Sequence, residues 1–500
     1  MASLRKHRAN QPGTRHLPFC LVAVLFLTGS LIAQPAGPNR NQPPALGPAP
    51  ALKLPPIHHL KLSNGLPVVL LEKHEVPVVA IDLLVKAGSS LDPEKKAGLA
   101  ALTASMMTEG AGKRNALELA DEIDFLGANI TASSGFHTFT VSLYTPVSRL
   151  EQALPLMADV ALRPTFPGEE LERKRKQMLT RLLQARDEPG SVASVLFNRA
   201  LYGDAHPYGV SPYLDDATIR AFTIDDSKKF HASLFFPNNS TLVVVGDVKP
   251  DILLPKLEAA FGAWKPGQAP VATERAAKQV QQRAIYVVDK PGAPQSEIRV
   301  GEIGVPRLTN DYFTLVTLNT VLGGSFTSRL NSNLREKKGY TYGAGSSFSF
   351  RPWPGPFTIR TAVQTEVTDK ALTEIMKEIE AIRQPIPAGE LERGKSYVAL
   401  RFPGRFQAVG EISAQLQELV IYGLPDSFFN DYVGRILGVT QSAAQQAAQN
   451  YLDPGRMAIV VVGDRQKIEP GLRALNLGSV QVMTLDEVMG KAPDLSQAKP

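Results

Sequence analysis

One short pattern occurs twice in this chain, and it limits the possible folds more than any other feature. Asn239-Ser240-Thr241-Leu242-Val243-Val244-Val245-Gly246-Asp247 returns as Arg456-Met457-Ala458-Ile459-Val460-Val461-Val462-Gly463-Asp464, with 217 residues between the two glycines. Glu170-Leu171-Glu172-Arg173 and Tyr202-Gly203 return 220 residues later as Glu390-Leu391-Glu392-Arg393 and Tyr422-Gly423. Any one match is a common strand-and-turn pattern, but three at nearly one offset mark a duplicated domain. A chain of 500 residues, 43% of them apolar, has enough buried surface for two cores.

Within each copy, apolar strand runs alternate with amphipathic helices. Residues 60–71 read as a strand, an Asn64-Gly65 turn and a second strand, by alternation and turn chemistry. Residues 78–85 read as a buried strand, and 116–125, 171–185 and 372–382 have helical spacing. The mixture predicts an α+β fold of two homologous domains, each a mixed, mainly antiparallel sheet with helices packed on one face. The domains span 57–264 and 284–487, joined by a polar linker with Pro and Gly at 265–283, and 488–500 reads as a flexible tail.

The N-terminal region carries Arg5, Lys6, Arg8 and Arg15 without an acid, followed by an apolar run over 17–33. That order reads as a signal peptide over 1–33, and so as an exported, periplasmic or secreted protein. A membrane anchor is the competing reading, since the run is only slightly short of the ~17–25 residues a spanning helix needs. Residues 34–56, rich in Pro, Ala, Gly and Asn, read as a disordered tether. Without those four cations the formal charge of +6 falls to +2, so the basic balance belongs to targeting and gives no reason to expect nucleic acid. Cys20, the sole cysteine, lies in the apolar run, so a processed chain has neither disulfide nor thiolate ligand.

The remaining motifs have a specific order. Asn64-Gly65-Leu66 opens it, then Ala87-Gly88-Ser89 with the Gly98-Leu99-Ala100 helix, then Pro237-Asn238-Asn239-Ser240, then Leu322-Gly323-Gly324 through Tyr342. Over 57–485 this order resembles the pitrilysin/insulinase zinc peptidases, in particular members built from two homologous half-length subunits. The resemblance places the H-x-x-E-H zinc motif on the helix beginning at Leu99, with Ala101 and Ser105 where the histidines would stand and Ala104 where the general base would be. It places a further glutamate ligand at Arg181 and a supporting acid at Lys174. Methyl groups, a hydroxyl and a guanidinium cannot replace imidazoles and carboxylates around zinc. No metal or cofactor is therefore expected in this chain. His58, His59, His74, His137, His206 and His231 supply no pair at the motif's spacing, and read as hydrogen-bonded structural residues.

The second copy matches the family where the first departs from it. Arg335 and Tyr342, seven residues apart, resemble the family's arginine and tyrosine pair, which the resemblance places across a chamber from the zinc of a partner. A tyrosine hydroxyl can donate to the oxyanion formed at an attacked peptide carbonyl, and a guanidinium can hold a substrate main-chain carbonyl in register. Gly323 and Gly324 match a glycine loop that touches substrate in this reading, although a helix end and turn account for them almost as well. The expectation is a non-metal subunit of a heterodimeric zinc endopeptidase. Its partner would be a homologous chain with an intact H-x-x-E-H, and its substrate a peptide or unfolded segment. The alternative is a catalytically silent structural or peptide-binding protein on the same fold.

Overall fold

The computed structural model describes residues 52–497, so the signal segment at 1–33 and most of the tether at 34–56 lie outside the described residues. In the first half, β1 (Ile57–Lys61), β2 (Pro67–Glu72), β3 (Val78–Val85), β4 (Asn129–Ser134), β5 (Phe139–Pro146) and β6 (Ser240–Gly246) form one sheet in the order β1-β2-β6-β3-β5-β4. In the second, β7 (Ala284–Asp289), β8 (Gln295–Ile303), β9 (Ala344–Phe348), β10 (Pro356–Gln364), β11 (Ala458–Gly463) and β12 (Ser479–Met483) run β9-β10-β8-β11-β7-β12. Read inward from β4 and β9, five places correspond. The sixth is β1, antiparallel in the first sheet, and β12, parallel in the second. Both sheets are mixed and mainly antiparallel, as expected.

The twice-occurring pattern is the central strand of each sheet. β6 and β11 are buried along their whole length, which is why both read as unbroken Val and Ile runs rather than as alternation. Asn64 and Gly65 make the β1–β2 turn, Gly65 at φ 90°, and Asn64 donates to the carbonyls of Phe261 and Trp264 at 2.8 and 2.9 Å. The helices that matter below are α1 (Leu99–Met107), α2 (Ala116–Phe125), α3 (Gly168–Asp187), α4 (Pro189–Tyr202), α5 (Thr368–Ile382), α6 (Val409–Tyr422) and α7 (Phe428–Leu437). α2 begins on an Asn115/Glu118 capping box. α6 ends on Gly423 in the left-handed region at φ 61°.

The two halves exchange one helix. α4, from the first half, packs on β8 and β11 of the second sheet, and α6, its counterpart 220 residues on, packs on β3 and β6 of the first. α4 buries Val195, Leu196, Phe197 and Leu201 in this way, at about 1.5–3 kcal/mol for each large apolar side chain. Polar contacts fix the register. Buried Asp82 on β3 accepts hydrogen bonds from Ser142 and from Ser413 on α6, and Arg299 on β8 donates to the Gly190 carbonyl on α4. Each sheet is therefore covered by its own helices on one face and in part by a borrowed helix on the other. The described residues fall in one compact unit.

The 265–283 segment has neither helix nor strand and is pinned at several points along its length. Arg275 donates to the Ala205 carbonyl at 2.6 Å, and Gln279 exchanges two hydrogen bonds with the Ile303 main chain. Beyond 488, the chain lies against the first half: Arg186 donates to the Gly490 carbonyl, and Arg220 donates to the Asp494 carbonyl at 2.8 Å.

Candidate functional site

α1 is fixed at its N-terminus by one carboxylate. Gly98 there adopts φ 85°, and Asp92 accepts from the Gly98 and Ala100 main-chain N–H groups at 2.6 and 2.8 Å. Burial outweighs these bonds and pushes the Asp92 carboxyl up to about 7. On the helix that follows, Ala101 is exposed, Ala104 is buried and Ser105 is half-buried, its hydroxyl donating back to the Leu102 carbonyl at 2.8 Å. Arg181 lies on α3, which packs against α1. Two methyl groups, a hydroxyl turned to its own helix and a guanidinium do not fit zinc. Among the described residues, no three His, Cys, Asp or Glu side chains are grouped as metal ligands.

The α1–α3 junction is held by charge. Glu109, just past the end of α1, pairs with Lys174 at 2.5 Å and with Arg173. Burial pushes the Glu109 carboxyl up, and these two cations outweigh it, leaving the group below its ordinary value. Lys174, read from the sequence as a lost acidic support, thus has a role of its own in joining the two helices. Beside Ala101 opens a cavity of about 330 Å³, bounded by Ser90, Asp92, Phe136, Tyr208 and Arg275 among others.

Two wide helical turns with i→i+5 hydrogen bonds, Thr320–Gly324 and Ser332–Lys337, precede Tyr342, and Arg335 lies in the second. Such turns often mark functional positions. Gly323 is buried where the first turn meets β9, and a Cβ there would come within 2.4 Å of the Ser346 nitrogen. A Cβ on Gly324 would meet the Asn319 amide at 2.7 Å. Close packing accounts for both glycines. Arg335 lies over the Phe326 ring at 4.3 Å and within 3.6 Å of Glu336.

The structure separates the two nearby tyrosines. Tyr340 packs against the core of the second half, its N–H bonded to the Leu334 carbonyl, whereas Tyr342 is 92% exposed. The Tyr342 hydroxyl has no hydrogen-bond partner among the described residues. Tyr342 lines an open groove of about 550 Å³ with Phe326, Asn331, Arg360, Arg299 and Glu297, beside the free edge of β9. Phe326, 62% exposed, links Arg335 to this groove. Sequence reasoning did not single out Phe326, Arg299 or Arg360, although the alternation in β8 and β10 puts the two arginines on the face away from Ile298 and Ile359. Arg335 and Tyr342 belong to the second half and the four altered metal positions to the first. No hydrogen bond or ion pair among the described residues links the two sets.

Two profiles of one family match the chain in succession. Residues 67–206 match the insulinase domain of peptidase family M16, and residues 221–398 match the domain described as the peptidase M16 inactive domain. An uncharacterized zinc protease of Rickettsia bellii is 26% identical over 340 residues, covering 68% of this chain and 81% of that one. A protein of Helicobacter pylori named a non-peptidase homolog, YmxG, is 22% identical over 436 residues, covering 84% of this chain and 98% of its own. Among solved structures, a peptidase M16 inactive domain from Pseudomonas fluorescens superposes with a TM-score of 0.75 at 28% identity, covering 81% of this chain and 98% of that one.

Proposed function

Because the chain belongs to the insulinase (M16) peptidase family but has Ala101, Ala104, Ser105 and Arg181 at the metal-site positions, we propose that it is the non-metal subunit of an exported heterodimeric zinc endopeptidase. The partner is a homologous chain with an intact H-x-x-E-H, which supplies the zinc and the general base. This chain supplies the groove at Tyr342.

The observation that carries this reading is the state of Tyr342: an exposed phenol with no partner among the described residues, in a groove beside the free edge of β9. A peptide that adds to the edge of β9 places its carbonyls along that groove. The phenol donates to the oxygen that gains charge as one carbonyl is attacked, and Arg335 holds a neighbouring carbonyl in register. Export follows from the charged-then-apolar N-terminus, with the mature chain beginning between 31 and 40, or remaining anchored if that segment is retained.

The test is hydrolysis of a quenched fluorescent peptide by this chain, by an intact-motif homologue from the same genome, and by both together. Activity only in the mixture supports the reading. The name of the Helicobacter relative favours the second reading, a silent structural or peptide-binding protein. An unchanged rate on adding this chain to an active homologue would favour that second reading.

A further inference from the structure

The duplication built the same cavity twice. In the first half, the cavity beside Ala101 is walled by the segment after β3 and by the loop after α4; in the second, a cavity of about 930 Å³ is walled by the segment after β8 and the loop after α6. Asp204, Ala205, Pro207 and Tyr208 stand second, third, fifth and sixth after Tyr202, and all line the first cavity. Leu424, Pro425, Ser427 and Phe428 stand at those same places after Tyr422, and all line the second.

The chemistry of the two cavities differs. The fourth residue after β3 is Ser89, and the fourth after β8 is Arg307. The fold thus has no intrinsic need of a cation at this place. Arg307 is only 3% exposed, its guanidinium lying 3.7 Å from the Tyr312 ring centre and its Nε donating to Glu418 at 2.8 Å. Its Nη2 is buried without a hydrogen-bond partner, which is costly for a charged group. Arg435 on α7 faces the same cavity over Phe313 and has no acidic partner among the described residues. Asp431, one turn earlier, is the one acid in the lining, and Glu418 behind the wall balances Arg307, so what the wall offers is unpaired donors, Arg307 Nη2 and the Arg435 guanidinium. The rest is apolar or neutral, including Leu308 at 67% exposure, Leu424 and Val439.

We propose that this second cavity binds a small carboxylate with an apolar body, at a site distinct from the Tyr342 groove. The volume is that of a ligand pocket. Unpaired guanidinium donors in a charge-balanced wall beside apolar surfaces suit one carboxylate better than a dianion, and guanidinium forks match carboxylate geometry. Arg435, at the exposed end, engages the head group, and Leu308, Leu424 and Val439 cover the body. Short peptides with a free C-terminus and medium-chain fatty acids share this chemistry.

The test is calorimetric titration of the purified chain with N-acetyl-leucyl-leucine, with octanoate, and with the amide of each. At least one acid is expected to saturate, and to bind about tenfold or more tightly than its amide. Arg435→Gln, on an exposed helix face, should remove that preference for the acid, while Tyr342→Phe leaves it intact. Stronger binding of the peptide acid identifies a peptidic body, and stronger binding of octanoate an aliphatic one. Equal affinity for acid and amide, no binding by either acid up to about millimolar concentration, or loss of binding with Tyr342→Phe instead of Arg435→Gln would overturn the proposal.

Discussion

Asp92→Asn should remove from the protein's stability a pH dependence of known direction. The Asp92 carboxyl holds the N-terminus of α1 and is pushed up to about 7 by burial, against an ordinary value of 3.8. Between those values the folded protein keeps the proton that the unfolded chain has released. The folded state therefore binds one more proton, and the stability contributed by Asp92 falls as pH rises, by about 1.4 kcal/mol per pH unit. The amide of the variant is neutral in both states and lacks this dependence. From about pH 5 to about pH 6.5 the variant should thus gain about 2 kcal/mol relative to the wild type. Glu302, also raised to about 7 by burial, and His137 and His231, lowered to about 4 by burial, titrate alike in both proteins and cancel in the difference. Urea denaturation followed by far-UV circular dichroism across this range measures it. A difference that stays flat, or that shrinks as pH rises, would refute the assignment of a buried, protonated carboxyl to this cap.

Three further outcomes are expected. Gly323→Ala drives a methyl group into the Ser346 main chain and should cost about 1–3 kcal/mol by urea denaturation, whereas a wild-type midpoint would show that the turn at β9 has room to spare. Arg351 reaches from the second half to lie 4.4 Å from the ring centres of both Phe136 and Tyr208, so Arg351→Ala should lower stability by about 1–3 kcal/mol and shift the emission of neighbouring Trp353; unchanged melting and emission would deny that contact any role in joining the halves. After dialysis against trace zinc, the purified chain should retain none by elemental analysis, and about one tightly held zinc per chain would contradict the reading of α1 and α3.

What was legible in the sequence and what was not divide along physical lines. The central strands were legible because burial on both faces leaves an unbroken run of Val and Ile, and the duplication repeated that run. Helix α2 was legible to both ends from its apolar spacing, and the structure adds the Asn115/Glu118 capping box at its start. Helix α3 begins three residues before the expected 171, because its first turn, Gly168-Glu169-Glu170, carries no apolar residue to reveal its period. Strand β12 was missed since it is only five residues long and its side chains are largely exposed. The exchange of α4 and α6 was invisible for a deeper reason: an apolar stripe records that a helix is covered, and does not say by which sheet. At the candidate site, spacing alone selected Tyr342 over Tyr340, and the structure gives the two different environments. Phe326 and the second cavity depend on contacts between segments distant in sequence, which no local pattern encodes.

The central claim is that this chain completes a catalytic site whose metal lies in another subunit, and Tyr342→Phe in the reconstituted pair tests it most directly. The variant removes one hydroxyl from an exposed ring, so folding and pairing should be unchanged by circular dichroism and size-exclusion chromatography. If the hydroxyl stabilises the developing oxyanion, kcat for peptide hydrolysis falls by ~10²–10³ while Tyr340→Phe, two residues away, stays near wild type. Equal turnover by wild type and Tyr342→Phe at matched complex concentration would contradict the account and leave the chain a structural subunit.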